Sequence, residues 1–353
     1  MRRCIDCVSL TSCESALTFV RKIRDGILAY EKRDILLNSL CGYDANQIPK
    51  VCCSDFAEVN TETGTEKPAS ADSIETHPNF GLLPSSCGDI YGSRLLIELT
   101  VWLHELPWMA LIAYNTNGGT EFGCAGSIIN SRYILTAAHC VIHNGAFKNI
   151  AGVRIGELDY STDVDCQGHG ANMKCETRIQ DMHVEEIIPH EEFNEQHPVT
   201  ADIALLRLSA PIVMHDNAAP ICLPVHEELR AVNLTDRSAT VAGWGVTENR
   251  PDSSRLMKEQ IPIKSGDICN SYYNMHENQT HFEKAFCAGT MNKDSCIGDS
   301  GGPLMVEADY NGSIRFVQYG IASLGLRPCG SQSPAIYTDV SKYMDWILDH
   351  IKE

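Results

Sequence analysis

Three strings decide the fold: LTAAHC at 135–140, DIALLRL at 202–208 and DSCIGDSGGPL at 294–304. They hold, in turn, His139, Asp202 and Ser300, residue types suited to a nucleophilic relay. A serine hydroxyl is a weak nucleophile at neutral pH, and an imidazole with its ordinary pKa near 6.5 can take the hydroxyl proton and return it later. A carboxylate on the far ring nitrogen fixes the tautomer and steadies the imidazolium. Taken singly, a His, an Asp and a loop Ser mean little; carried together in these strings they point to acyl transfer. Glycine on both sides of Ser300, at 298 and 301, leaves room for a substrate backbone.

Outward from these strings, residues 87–353 read as short β-branched runs separated by Gly, Pro, Asn and Asp turns, the texture of an all-β barrel or sandwich. One helix is expected at the end, where Val340, Tyr343, Met344, Ile347 and Ile351 share a face with Trp346 beside it. His183, His190 and His226 are expected at the surface, and no H-E-x-x-H zinc motif occurs.

The three strings resemble those of chymotrypsin-like serine proteases, and the order His, Asp, Ser along the chain is that family's. The resemblance covers about residues 95–353. It implies a mostly β fold, a double antiparallel β-barrel closed by a C-terminal helix. It assigns His139 as general base, Asp202 as its orienting partner and Ser300 as nucleophile. The N–H groups of Gly298 and Ser300 become the oxyanion hole. Asp294 matches the carboxylate at the base of a trypsin-type pocket, where it pairs with a substrate Arg or Lys. The pocket walls fall to Ser323, Leu324 and Gly325 on one side and to Pro334, Ala335 and Ile336 on the other. Ala335 stands where the family has glycine, and its methyl is expected to narrow the slot.

The same resemblance implies a zymogen cut between Arg94 and Leu95, with the new Leu95 ammonium pairing with Asp299. Here the pattern breaks. Leu95, Leu96, Ile97 and Glu98 replace a run that ends in two glycines, and β-branched Ile97 cannot take positive φ cheaply. Either activation is slow or this segment is wrongly assembled.

The 353 residues carry 28 Lys+Arg against 46 Asp+Glu, a net charge of −18 that repels nucleic acid and anionic lipid. The longest apolar candidate, LLIELTVWL at 95–103, contains Glu98 and is too short to span a membrane. Sixteen cysteines read as a disulfide framework from an oxidising compartment, the alternative being a cytosolic zinc protein. The start, MRRCIDCVSL, has no apolar leader run, so the secreted chain is expected to begin further upstream. Family resemblance pairs Cys124 with Cys140, Cys269 with Cys287 and Cys296 with Cys329. Cys87 with Cys222 resembles the bond that holds a cleaved light chain, which leaves Cys166 and Cys175 to pair in an inserted loop.

Residues 1–53 hold six cysteines, at 4, 7, 13, 41, 52 and 53. This segment resembles the clip domain of arthropod proteases, although Cys4 stands closer to Cys7 than the family pattern has it. Between Cys13 and Cys41 the spacing of Leu17, Val20, Ile23 and Ile27 predicts one or two short helices against a stapled sheet. Residues 54–86, rich in Thr, Glu, Ser and Pro, are expected to form a disordered linker.

Glu157, Asp159, Asp163, Asp165 and Glu176 make the loop around Cys166 and Cys175 acidic; a solvated loop is preferred, with a Ca²⁺ site at Glu157 as the alternative. Catalysis requires no cofactor. Asn233, Asn278 and Asn311 open N-x-[ST] glycosylation sequons. The resemblance implies a secreted endopeptidase zymogen in an extracellular cascade of immunity, melanisation or Toll-type signalling. Its expected partners are an upstream activating protease, a protein substrate with a basic cleavage site and a serpin-type inhibitor. The alternative is a weakly active or non-catalytic cascade cofactor that acts by binding, and an adhesion role has only the stapled module and the glycans in its favour.

Overall fold

A computed structural model describes residues 7–9, 12–13, 15–17, 39–43, 49–53, 74–90, 100–168, 173–195, 201–245, 254–273, 283–289, 300–324 and 334–353. The chain divides into two compact units, Met1–Ala71 and Asp72–Glu353.

In the first unit β1 (Cys7–Ser9), β2 (Leu40–Tyr43) and β3 (Pro49–Cys52) form an antiparallel sheet in the order β1-β3-β2. So small a sheet buries little, and two disulfides, Cys7–Cys41 and Cys13–Cys53, staple it around buried Val51. Most of the helical segment predicted between Cys13 and Cys41, and Cys4 itself, lie outside the described residues.

The second unit is mostly β, two antiparallel sheets of the chymotrypsin-like kind. The seven-stranded sheet contains β4 (Met109–Thr116), β5 (Gly119–Ile128), β6 (Tyr133–Thr136), β9 (Ile150–Ile155), β12 (Gln180–Met182), β13 (Val184–Pro189) and β14 (Ala204–Leu208). Its order is β12-β9-β4-β5-β6-β14-β13. Between its strands run two small hairpins, β7 (Ile142–His143) with β8 (Ala146–Phe147) and β10 (Asp165–Gln167) with β11 (Lys174–Glu176). The six-stranded sheet, in the order β16-β15-β18-β19-β20-β17, is built from β15 (Ser238–Gly243), β16 (Met257–Pro262), β17 (Ala285–Ala288), β18 (Pro303–Tyr310), β19 (Ser313–Leu324) and β20 (Ala335–Asp339). Asn311 and Gly312 turn β18 into β19 with φ of 54° and 79°, the pair of positive values that a two-residue type I′ turn needs.

Strands such as ALLRL at 204–208 are buried on both faces, so they read as continuous apolar runs. A shared core includes Trp108, Ile128, Leu135, Leu206, Val317 and Ile347. The predicted C-terminal helix is present as Met344–His350, burying Met344, Ile347 and Leu348. Val340, Tyr343 and Ile351 are buried just outside it. Among the described residues no helix is long and apolar enough to cross a membrane.

Two expectations need correction. The linker assigned to 54–86 ends in ordered chain: residues 74–90 are part of the second unit, where Ile74 is buried. Asn79 Nδ2 donates to Leu348 O and Ile351 O, and Leu82 O accepts from Asn130 Nδ2. The composition is polar, but its few apolar and amide groups find partners at the carbonyl end of the last helix. Nor are His190 and His226 solvent groups. The His190 ring stacks on Trp346 and meets Tyr343 edge-on, and His226 Nδ1 lies 3.0 Å from Glu75 Oε1.

Candidate active site

Each sheet contributes part of one constellation at the seam between them. His139 sits in a single 3-10 turn, Ala138–Cys140, directly after β6, and Asp202 leads into β14. Pairing of β6 with β14 brings the two ends together. Asp202 is fully buried, and its carboxylate is saturated with donors. His139 Nδ1 lies 2.7 Å from Oδ2, the His139 backbone N–H donates to Oδ1 at 2.9 Å, and the Ser323 hydroxyl donates to Oδ2 at 2.5 Å. Thr338 Oγ1 fixes the Asp202 carbonyl at 2.8 Å. A carboxylate so close to Nδ1 requires the proton there, which leaves the Nε2 lone pair of a neutral imidazole free to act as base. Ala201, buried and at φ 53°, carries a strained backbone immediately before Asp202.

Ser300 stands where the sheets meet, just before β18. Its carbonyl accepts from the Ala125 N–H of β5 at 2.9 Å, while the next residue, Gly301, donates to Ala322 O of β19 at 2.8 Å. Gly301 has a φ of 83°, and a Cβ there would collide with Thr136 Oγ1 and the Ala125 carbonyl. Its glycine is therefore required by the packing of the two sheets, a different reason from the substrate clearance expected from sequence. The Ser300 hydroxyl and His139 Nε2 are not hydrogen-bonded to each other among the described residues; such contacts commonly tighten only when substrate is bound.

Ser323, assigned to the pocket wall, spends its hydroxyl on Asp202 and so belongs to the relay. Thr338 was missed: it lies 136 residues from Asp202, and no local pattern connects them. Ala335 opens β20 opposite Ala288. Asp294, Gly298, Asp299, Gly325, Arg94, Leu95, Asn278 and the pair Cys296 and Cys329 lie outside the described residues. The structure joins Cys87–Cys222, Cys124–Cys140, Cys166–Cys175 and Cys269–Cys287. Cys124, His139 and Cys140 converge as three residues of metal-ligating kinds, but the two sulfurs are bonded to each other and offer no thiolate.

The acidic loop is not solvated at three of its five carboxylates. Glu157, Asp165 and Glu176 are buried. Glu176 is held well below the usual carboxylate range, first by the Arg178 guanidinium and also by His104, whose Nε2 is 2.8 Å away. Glu157 moves the other way, to about 7, because burial and then the neighbouring charge of Asp165 both oppose its ionisation. Both Glu157 and Asp165 accept from the Leu158 N–H, and Arg154 Nη1 lies 3.4 Å from Glu157 Oε2. The pair presents oxygen donors only, a set that suits a hard cation.

Comparison with known proteins gives these contacts a context. Residues 101–347 match the trypsin family model, and residues 6–53 match that of the regulatory CLIP domain of proteinases. The chain is 33% identical to the serine protease grass of Drosophila melanogaster, over 97% of this chain and 87% of that one. It is 33% identical to the Spaetzle-processing enzyme of the same organism, over 98% and 88%. The crystal structure of the Drosophila Grass clip serine protease of the Toll pathway aligns with a TM-score of 0.66 at 30% identity, covering 98% of this chain and 93% of that one. With two family models matched in order and relatives similar along nearly its whole length, the chain belongs to the clip-domain serine proteases of the trypsin family.

Proposed function

We propose that the chain is a secreted zymogen which, once cut between Arg94 and Leu95, hydrolyses peptide bonds after Arg or Lys in an extracellular cascade. The observation that carries this reading is the buried Asp202 carboxylate, held by His139 and Ser323 at the seam where Ser300 stands. His139 Nε2 takes the Ser300 proton as the oxygen attacks the scissile carbonyl, then delivers it to the leaving amine. The N–H groups of Gly298 and Ser300 receive the oxyanion, and the Leu95 ammonium pairs with Asp299. Asp294 selects the basic side chain. Ala335 narrows its slot, so Ala335→Gly raises kcat/KM on Arg and Lys peptides.

An upstream protease with basic specificity supplies the cut, a downstream protein is the substrate, and a serpin-type inhibitor ends the activity. Grass is a protease of the Toll pathway, which supports a cascade of that kind for this chain. Glycans are proposed at Asn233 and Asn311, both exposed, and at Asn278. Glu157 and Asp165 would hold Ca²⁺ as a brace for their loop.

The test is to cut the purified chain with a catalytic amount of trypsin, remove the trypsin, and read both the new N-terminus and amidase activity. A Leu95 terminus with turnover of Arg or Lys peptides is expected. A Leu95 terminus with no turnover would contradict the reading and favour a cofactor that acts by binding.

A further inference from the structure

The backbone makes a tight turn at Asp202 itself. The Ala201 carbonyl accepts the Ile203 N–H at 2.8 Å, which closes a three-residue turn with Asp202 at its centre. Beyond the turn, the Ile203 carbonyl accepts the His190 N–H at 3.0 Å, and Ala204 enters the sheet between Thr136 and Pro189. Ala201 enters the turn with a φ of 53°, in the left-handed region. Five described residues other than glycine have positive φ; the other four, His104, Asn144, Asp236 and Asn311, carry polar side chains and none of them is buried. Ala201 is buried, and its methyl has no polar group with which to offset the crowding of Cβ against the backbone. Strain of this kind persists only where the surroundings hold it, and it gathers at working sites. What the turn gains is direction. Side chains two apart on a strand share a face, so a strand continued straight back from Ala204 would carry residue 202 on the Ala204 face of its own sheet. Asp202 instead reaches both sheets, with His139 Nδ1 beside β6 at 2.7 Å and the Ser323 hydroxyl of β19 at 2.5 Å.

We propose that Ala201 is a positioning residue, a strained hinge whose left-handed backbone aims the Asp202 carboxylate across the seam at His139 and Ser323. The inference rests on the reading of His139, Asp202 and Ser300 as a proteolytic relay. The requirement is for the backbone angle rather than for the methyl, so substitutes sort by their tolerance of positive φ. Glycine adopts it freely, and β-branched valine does so only at high cost. A turn relaxed to negative φ shifts the carboxylate away from Nδ1, and a displacement of about 1 Å in such a constellation costs about a hundredfold in rate.

The test compares the full chain with Ala201→Gly and Ala201→Val, each melted uncut and then assayed on an Arg peptide after the trypsin cut and removal of the trypsin. Ala201→Val is expected to lower kcat about a hundredfold, with KM within about threefold of the parent. The acid limb of its kcat/KM profile moves to lower pH by about one unit, because His139 loses the anion that favours its charged form. Ala201→Gly keeps kcat within about twofold of the parent. Its melting temperature stays within about 3 °C, since relief of the strain offsets the lost methyl and the freer unfolded chain. A third readout needs neither cut nor turnover: the far-downfield resonance of the proton held between Nδ1 and Asp202 is present in the uncut parent and in Ala201→Gly, and is lost in Ala201→Val. Parent-like kcat in Ala201→Val overturns the hinge, as does an equal loss in both variants, which would assign the effect to packing of the methyl. A larger fall in melting temperature for Ala201→Gly overturns the strain. If Ala201→Val does not fold, the kcat and melting temperature of Ala201→Gly still decide. Absence of turnover by the parent chain would overturn the relay reading, while the proton resonance and the melting temperatures still decide the hinge.

Discussion

Asp202 collects four donors from three places in the chain, and the cost of removing each follows from what it leaves behind. Ser323→Ala deletes a charge-assisted bond to a buried carboxylate, so kcat/KM of the activated enzyme should fall about tenfold to a hundredfold with the fold intact. Thr338→Val removes a bond to the Asp202 carbonyl only, and its effect should be smaller, about tenfold or less. Steady-state kinetics on an Arg peptide distinguishes the two. Gly301→Ala acts on folding instead: positive φ and collisions on two sides predict a loss of about 3 kcal/mol or more, read as a lower melting temperature. That His139 and Asp202 pair at the seam where Ser300 stands was legible in sequence because each lies in a local string. Ser323 and Thr338 as supports of Asp202 were not, since that role depends on how β19 and β20 meet the head of β14.

At the scale of elements, residues 74–90 are a strap within the second unit, laid against its sheets and last helix. It is held by Cys87–Cys222, by Gly88 to Pro220 O and Phe316 N, by Asp89 against Arg315, and by Asn79 on the last helix. Because the polar contacts are spread along its length, the strap should remain with the catalytic unit after cleavage even without its disulfide. The variant carrying Cys87→Ser and Cys222→Ser, cut with trypsin and run on a sizing column, should elute as one species; release of the N-terminal fragment would contradict this. Asn79→Ala leaves two carbonyls at the helix end without a donor and should cost about 1–2 kcal/mol, a fall of about 2–8 °C in melting temperature. Composition hid the strap, because a polar segment reads as solvated until the carbonyls that receive its amide are known. The Asn-Gly pairs at 144–145 and 311–312 make their turns from local backbone preference alone.

The whole molecule is a stapled sheet in its first unit and, in its second, two antiparallel sheets sharing a core. Texture and three strings were enough to read the β class, whereas the sense of the acidic loop was not legible. Five acidic residues near one another look solvated in sequence, yet the fold buries three of them and leaves Glu157 and Asp165 facing each other. Ca²⁺ should therefore raise the melting temperature relative to chelator, and Glu157→Gln should abolish most of that rise; equal melting temperatures in calcium and in chelator would remove the metal. The central claim is that Ser300 is an activated nucleophile, and covalent labelling tests it most directly. A phosphonate carrying an Arg-like side chain, added after the Arg94–Leu95 cut and removal of trypsin, should place one label per chain on Ser300, with none in Ser300→Ala or in the uncut chain. A correctly cut chain whose Ser300 stays unlabelled would contradict the account.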